Sequence, residues 1–265
     1  MRKLLMVAAM TMTFNVMAND VDTADQMFAE RGEAVANAQK AADLYGQLAA
    51  AASEKGEKAV LFVKQSAATY FVGTKAKDDK VKMKLHEAGY NQAQKAVDLL
   101  KDNTDDFDQE ETLAKSYFYY GANLGKYGEA KGIIASLSRV SELKANMQAI
   151  SDLGMENVEE YGANRILGRL YFKLPGFAGG DDDKSERLLK EAVENTLSDD
   201  GTVSVHGLNN LYLADTLKKN KKKTEACKIL KNFMKQDAET LLETRIPETK
   251  EEQTEAAAMA KDFGC

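Results

Sequence analysis

The sequence predicts an all-α fold built from stacked antiparallel helical hairpins. Its composition is typical of long helices: Ala, Leu, Lys and Glu are abundant, and the 265 residues include only two prolines and no tryptophan. The apolar content of 44% is enough for a chain of this length to bury a core. A helical spacing of apolar residues recurs along the chain, and this repetition gives the prediction its detail.

Five sets of apolar or small residues have the spacing i, i+4, i+7, which places each set on one face of a helix. A single set would indicate only an amphipathic helix, whereas recurrence every 41 to 52 residues indicates a repeated unit. The sets are Ala41/Tyr45/Leu48, Ala93/Val97/Leu100, Leu143/Met147/Ile150, Ser185/Leu189/Ala192 and Ala226/Leu230/Phe233.

A second helix precedes each of the last four sets and carries a small residue where two helices must approach closely. These residues are Ala68, Gly121, Gly168 and Ala214. The last hairpin has the offsets of a 34-residue tetratricopeptide unit. No flexible linker is visible, so we predict one tetratricopeptide-like domain over residues 19–265, closed by a C-terminal capping helix.

Local signals place the ends of several helices. Asp108 with Glu111, and Asp183 with Glu186, have the three-residue spacing of a capping box and predict two helix starts. The glycine-rich segment 175–180 predicts a loop inside the fourth hairpin.

The first eighteen residues read as a signal peptide. A positive segment at residues 1–3 precedes an apolar stretch from Leu4 to Phe14, and Val16-Met17-Ala18 completes a cleavage site. We therefore expect cleavage after Ala18 and a periplasmic protein. No later segment has the length of an integral membrane helix.

The charge balance argues against nucleic acid as a partner. The chain has 36 basic and 42 acidic residues, a net charge of −6, and loss of Arg2 and Lys3 with the signal leaves 34 basic residues and a net charge of −8. An acidic protein lacks the cation surplus that phosphate backbones require.

Several segments together resemble one known family. They are Asn123-Leu124-Gly125, Met147 to Leu153, Arg165 to Tyr171, Leu174-Pro175-Gly176 and Gly179-Gly180-Asp181. In their order and spacing they resemble the TRAP-transporter T-component (TatT) family, from about Ala24 to Phe233. The resemblance implies a periplasmic helical protein that associates with a substrate-binding component and helps to pass small hydrophobic organic ligands. Members are often lipoproteins, whereas no cysteine follows Ala18 here.

Patterns of catalysis and metal binding are missing from the sequence. His86 and His206 lie far apart without the spacing of metal ligands, so we expect no metal. Neither a nucleophile elbow, a P-loop nor a dinucleotide fingerprint occurs. We expect no enzyme activity and no cofactor, and we interpret the acidic run 181–183 as a helix N-terminus.

An aromatic run and two arginines are the candidate binding residues. Tyr117 and Tyr119 lie on a helix whose aromatic rings either pack in the core or line a cavity. Asn123 follows by one helical turn and could face a groove. Arg165 could clamp a carboxylate in bidentate fashion, with Arg169 one turn further on, or it could form an internal ion pair with an acid such as Glu160.

The sequence thus favours a periplasmic accessory protein that binds a solute-binding protein or another envelope protein, and with it a small hydrophobic ligand. The alternative is a structural scaffold of the cell envelope that recognises only proteins or peptides. The oligomeric state stays open, a homo-oligomer included.

Cys227 and Cys265 are the only cysteines, and an exported chain should pair them. The alternative is a buried thiol at Cys227 and a free or intermolecular thiol at Cys265.

The signal peptide makes the first testable prediction. We expect the mature protein to begin at Asn19, because Val16 and Ala18 supply the small or short residues that the cleavage positions need. Intact-mass analysis of periplasmic material checks this expectation. Retention of residues 1–18, or an attached lipid, would contradict it.

Overall fold

A computed structural model of the protein describes residues 19–265, so the predicted signal peptide, residues 1–18, lies outside the described residues. The described part contains helices and no strand, apart from one isolated β-bridge between Leu197 and Ser204. The all-α prediction is confirmed. No helix in this part of the chain is long and apolar enough to cross a membrane.

Residues 19–29 are helical and lead into a 3-10 turn, and eleven named α-helices follow within residues 19–265. They are α1 (Val35–Ala51), α2 (Lys55–Lys75), α3 (Asp79–Leu100), α4 (Phe107–Lys131), α5 (Val140–Asp152), α6 (Gly162–Lys173), α7 (Asp182–Glu194), α8 (Gly207–Lys219), α9 (Lys223–Phe233), α10 (Ala238–Leu241) and α11 (Ile246–Phe263).

The chain divides into two compact units between Tyr127 and Gly128, a point inside α4. In the first unit α2 packs against both α1 and α3. In the second unit, consecutive helices pack from α5 to α9, and α11 packs on α8 and α9. Pairing of sequential helices is the arrangement that the hairpin prediction requires, while the finer tetratricopeptide-like stacking and the single continuous domain stay predictions.

The helical periodicity correctly identifies the buried faces. All fifteen residues of the five predicted sets are buried, and none exposes more than 6% of its surface. A helix that buries residues at i, i+4 and i+7 presents one stripe to its neighbours. Burial of these stripes supplies the main stabilisation of each unit.

The close approach predicted at Gly168 is present between α6 and α7. A Cβ atom on Gly168 would lie 2.6 Å from Cγ of Leu189, whose side chain is fully buried. Any larger residue at position 168 would therefore push the two helices apart.

Both predicted helix starts are displaced toward the N-terminus. Asp106, not Asp108, accepts a hydrogen bond from the Gln109 amide at 2.9 Å. Asp181, not Asp183, caps α7 by accepting from the Lys184 amide at 2.9 Å. Each acidic run offers several carboxylates at capping distance in sequence, and the residue that caps is the one whose backbone is still extended when the helix begins, as it is at Asp181.

A disulfide joins the C-terminal residue to the last predicted hairpin. Cys227 on α9 and Cys265 are bonded, with their Cα atoms 5.5 Å apart, so the predicted pairing is confirmed. Ala256, Ala260 and Phe263 of α11 belong to the same buried cluster as Leu230 and Phe233 of α9. The bridge therefore fastens the end of α11 to the helix whose core residues it covers.

We expect Cys265→Ser to lower the free energy of unfolding by about 3 to 4 kcal/mol, because the bridge closes a loop of 38 residues in sequence and limits the unfolded chain. Urea denaturation with and without reductant measures the change. Reductant should destabilise the wild type and leave Cys265→Ser unaffected. Equal stability of wild type and variant under oxidising conditions would contradict the expectation.

Candidate functional site

Tyr117 and Tyr119 lie half-buried on α4 and alternate along the helix with Phe118 and Tyr120, which are buried. The rings of Phe118 and Tyr119 meet edge to face with centroids 5.0 Å apart. Burial raises the pKa of Tyr117, and the smaller effect of Lys101 opposes it. These contacts favour the packing interpretation for the aromatic run.

Asn123 lies in the interior of the first unit and does not face a groove as predicted. Its side chain is fully buried, and its amide nitrogen donates to Ser66 Oγ at 3.1 Å and to the carbonyl of Tyr119 at 3.0 Å. Its Oδ1 lies 3.0 Å from Nδ1 of His86. Gly89 leaves the room for this amide, since a Cβ there would lie 2.3 Å from Oδ1. Asn123 therefore connects α2, α3 and α4.

Arg165 also points inward, with only 4% of its surface exposed. Its Nη1 donates to the carbonyl oxygens of Glu159 at 3.0 Å and Glu160 at 3.2 Å, and to Oδ1 of Asn209 at 3.1 Å. The contact with Glu160 is made through its backbone carbonyl, whereas the prediction was an ion pair with its carboxylate. A surface partner does not reach this guanidinium.

The segment that Arg165 holds is a left-handed turn. Glu159, Glu160 and Tyr161 have φ values of 52°, 52° and 57°, a region that residues other than glycine seldom adopt. Asn209 supports the turn by donating to the Glu160 carbonyl at 3.1 Å. The turn sets the start of α6, because Tyr161 is its N-cap residue.

Arg169 is engaged by side chains of its own unit. Its Nη1 donates to Oδ2 of Asp215 at 2.7 Å, and the guanidinium carbon lies 4.5 Å from the ring centroid of Tyr212 and 4.8 Å from that of Phe172. The ion pair is half-buried and binds α6 to α8. Arg169 thus holds α6 against α8, whereas the sequence analysis gave it as a candidate binding residue.

A cationic site that the sequence analysis did not identify lies around Tyr171. Nζ of Lys184 is 4.3 Å from the ring centroid of Tyr171, and Nζ of Lys144 is 4.6 Å from it. Both lysines are half-buried, and Tyr171 is 8% exposed. Burial acts to raise the pKa of Tyr171, but hydrogen bonds and positive charge from Lys184 and Lys144 outweigh it and lower that pKa.

Neither of the two lysines forms an ion pair within the part of the chain that the structure describes. Here their contact is a phenol, which leaves two positive charges uncompensated beside a hydroxyl donor. We name Lys144, Tyr171 and Lys184 the lysine–tyrosine site.

The glycine loop between α6 and α7 builds this site. The amide of Asp181 donates to the carbonyl of Tyr171 at 3.1 Å, so the loop brings the start of α7 back beside the end of α6. Gly180 permits the return, because a Cβ there would lie 2.0 Å from the Leu174 carbonyl oxygen. Lys184 then falls in the first turn of α7, beside the Tyr171 ring. The glycine-rich segment 175–180 therefore positions Lys184 beside Tyr171.

Sequence reasoning missed the two lysines because their meeting depends on three helices. Lys144 lies on α5, Tyr171 on α6 and Lys184 on α7, and α6 packs against both of the other two. The only local signal is that Lys144 follows the buried Leu143 at the edge of the apolar stripe of α5. Nothing in the local pattern indicates that the two ammonium groups share one ring.

A buried polar cluster lies under α11 near Arg165. Within the described residues, His206 Nδ1, Thr249 Oγ1 and Glu252 Oε2 are buried and lack a hydrogen-bond partner. Gly207 packs directly on Glu252, since a Cβ there would lie 2.1 Å from Oε2. Burial, with the charges of Arg165 and Arg245, lowers the pKa of His206 well below its usual value, so the imidazole is neutral.

Glu252 makes the stability of this cluster depend on pH. Burial raises the pKa of Glu252 from 4.5 to about 7, although Arg245, whose Nη2 lies 2.8 Å from Oε1, opposes the shift. Its charged neighbours are Arg245, Glu248 and Arg165. The native state therefore holds the proton more tightly than the unfolded chain. The resulting stabilisation is complete below pH 4.5 and is lost as pH rises through 7.

Between pH 4.5 and pH 8 we expect the free energy of unfolding of the wild type to fall by about 3 kcal/mol. Glu252→Gln should abolish this fall, because the amide stays neutral throughout. Urea denaturation at a series of pH values measures the slope. Glu255→Gln, at an exposed position of the same helix, is the matched control and should keep the wild-type slope. Identical slopes for Glu252→Gln and wild type would refute the assignment.

No protein-family model matches this sequence, and no curated protein matches it significantly. The resemblance to the T components stays a hypothesis drawn from residue patterns.

Proposed function

We propose that this protein is a non-catalytic, exported binding protein that holds an acidic group of its ligand at the lysine–tyrosine site. The observation that carries the proposal is the convergence of Lys144 and Lys184 on Tyr171, without an ion pair for either lysine in the described part of the chain. Charged side chains that converge without a partner are characteristic of ligand sites.

The chemistry of the site suits binding. Each ammonium group has three N–H donors that it can direct to a ligand. The phenol of Tyr171 has an O–H that can donate as well. A tyrosine with a lowered pKa is a stronger hydrogen-bond donor, which adds to the attraction for an anion.

The rest of the second unit supports a binding role by holding the site rigidly. The three residues come from three packed helices, and the loop that positions Lys184 is fixed by backbone hydrogen bonds. Sites carried by helices keep their geometry better than sites on free loops. A preorganised pair of cations can bind a ligand with little loss of side-chain entropy.

We place this role in the setting that the T-component resemblance suggests. In that setting the protein works beside a periplasmic solute-binding protein and passes small organic molecules. The lysine–tyrosine site would hold the acidic end of such a molecule, and exposed apolar side chains such as Phe177, 83% exposed on the adjoining loop, would contact its body.

Anion binding that depends on both lysines tests the proposal. We expect succinate or inorganic phosphate to bind the wild type, measured by isothermal titration calorimetry at fixed ionic strength. The double variant Lys144→Gln/Lys184→Gln should bind at least about 10-fold more weakly, because each charge-assisted hydrogen bond contributes about 1.5 to 3 kcal/mol. Lys228→Gln, at an exposed position of α9, is the matched control. Equal binding by wild type and double variant, or none by either, would rule the proposal out.

A further inference from the structure

We infer that the acidic group held at the lysine–tyrosine site is a phosphoryl group, a tetrahedral oxyanion that carries close to two negative charges. The inference rests on the proposed function and names the ligand chemistry of the same site. Three observations support it: the charge of the site, the number and origin of its donors, and the use of lysine where arginine would suit a carboxylate.

The charge of the site matches a dianion. Lys144 and Lys184 supply two positive charges within 4.6 Å of one ring centroid. A single carboxylate would leave one of these charges uncompensated. A phosphoryl group carries about −1.5 to −2 at neutral pH and would neutralise both.

Neighbouring carboxylates do not take that place, because they are directed elsewhere. Asp181 accepts from the backbone amide of Lys184 at 2.9 Å as the cap of α7. Asp182 forms an ion pair with Lys219 at 2.6 Å. The acidic run that begins α7 therefore leaves the ammonium group of Lys184 available.

The donors come from three helices. One comes from each of α5, α6 and α7: two ammonium groups, both within 4.6 Å of one ring centroid, and the phenol hydroxyl of that ring. A tetrahedral phosphoryl group presents three terminal oxygens in three directions, so each donor can have its own acceptor. A carboxylate presents two oxygens in one plane, so two of the three donors would have to share one oxygen.

The choice of cation agrees with this geometry. An arginine fork matches the planar carboxylate, whereas lysine binds as a point charge and is a common phosphate ligand. The arginines that the sequence analysis favoured in this unit, Arg165 and Arg169, are both engaged inside it. The residues that remain available for a ligand are lysines.

A phosphoryl group reaches an exported protein in two forms, as a small phosphorylated solute or as a lipid headgroup. Both offer the same oxyanion to the lysine–tyrosine site. The exposed Phe177 on the adjoining loop would contact acyl chains in the second case and would have no such contact in the first. The experiment therefore includes one arm for each source.

The test is a calorimetric titration of the oxidised mature protein with inorganic phosphate, acetate and succinate at pH 7.5 and constant ionic strength. We expect phosphate to bind at least 10-fold more tightly than acetate or succinate. Lys144→Gln/Lys184→Gln should lose at least 10-fold in phosphate affinity and Tyr171→Phe several-fold, while Lys228→Gln should not change. Thermal melting of each variant verifies that it is folded.

The outcomes separate the two proposals. Tighter phosphate binding that depends on both lysines supports the phosphoryl assignment. Lysine-dependent binding in which acetate or succinate equals or exceeds phosphate overturns this assignment and leaves the proposed function standing. Lysine-independent binding of every anion overturns both. In the second arm, lysine-dependent binding to phosphatidic acid vesicles over phosphatidylcholine vesicles assigns the headgroup source, and binding of phosphate alone assigns the small solute.

Discussion

The helices of this protein approach each other at glycines that leave room for one side chain of the neighbouring element. Gly73 lies against the imidazole of His86, Gly89 against Asn123, Gly168 against Leu189 and Gly207 against Glu252. Each contact would be impossible with even an alanine methyl unless the helices moved. The positions of His86, Asn123 and Glu252 depend on this constraint, because the glycine leaves the room in which each side chain enters the interface. Three of the four side chains are polar or charged, so the helices that carry them must also supply hydrogen-bond partners.

This constraint explains why the sequence predicts the core better than the polar sites. Apolar periodicity alone locates the buried stripes, including Ala41, Tyr45 and Leu48, and small residues such as Gly168 mark a close contact. The same periodicity does not predict the direction of a polar side chain. Asn123 points inward because the neighbouring helix has Gly89, and Arg165 because the neighbouring helix has Asn209. Local pattern does not contain that information.

The caps and the lysine–tyrosine site illustrate the same limit at two scales. Asp106 and Asp181 cap their helices although other carboxylates in each run were equally plausible from spacing. Tyr171 is a buried residue of α6, yet its chemical environment depends on Lys144, which lies 27 positions earlier on another helix. The apolar pattern of one helix predicts that an aromatic ring on it is buried. The charge around the Tyr171 ring depends on three helices.

The left-handed turn before α6 has a consequence for sequence variation. Glu159, Glu160 and Tyr161 occupy a backbone region that is unfavourable by about 1 to 3 kcal/mol for each such residue, and the buried Arg165 and Asn209 keep them there. Glycine or asparagine enters that region easily, so homologous chains should accept either at these positions. β-Branched residues should be excluded. We expect an alignment to show no β-branched residue in the turn, and Arg165 and Asn209 to vary together because both hold it.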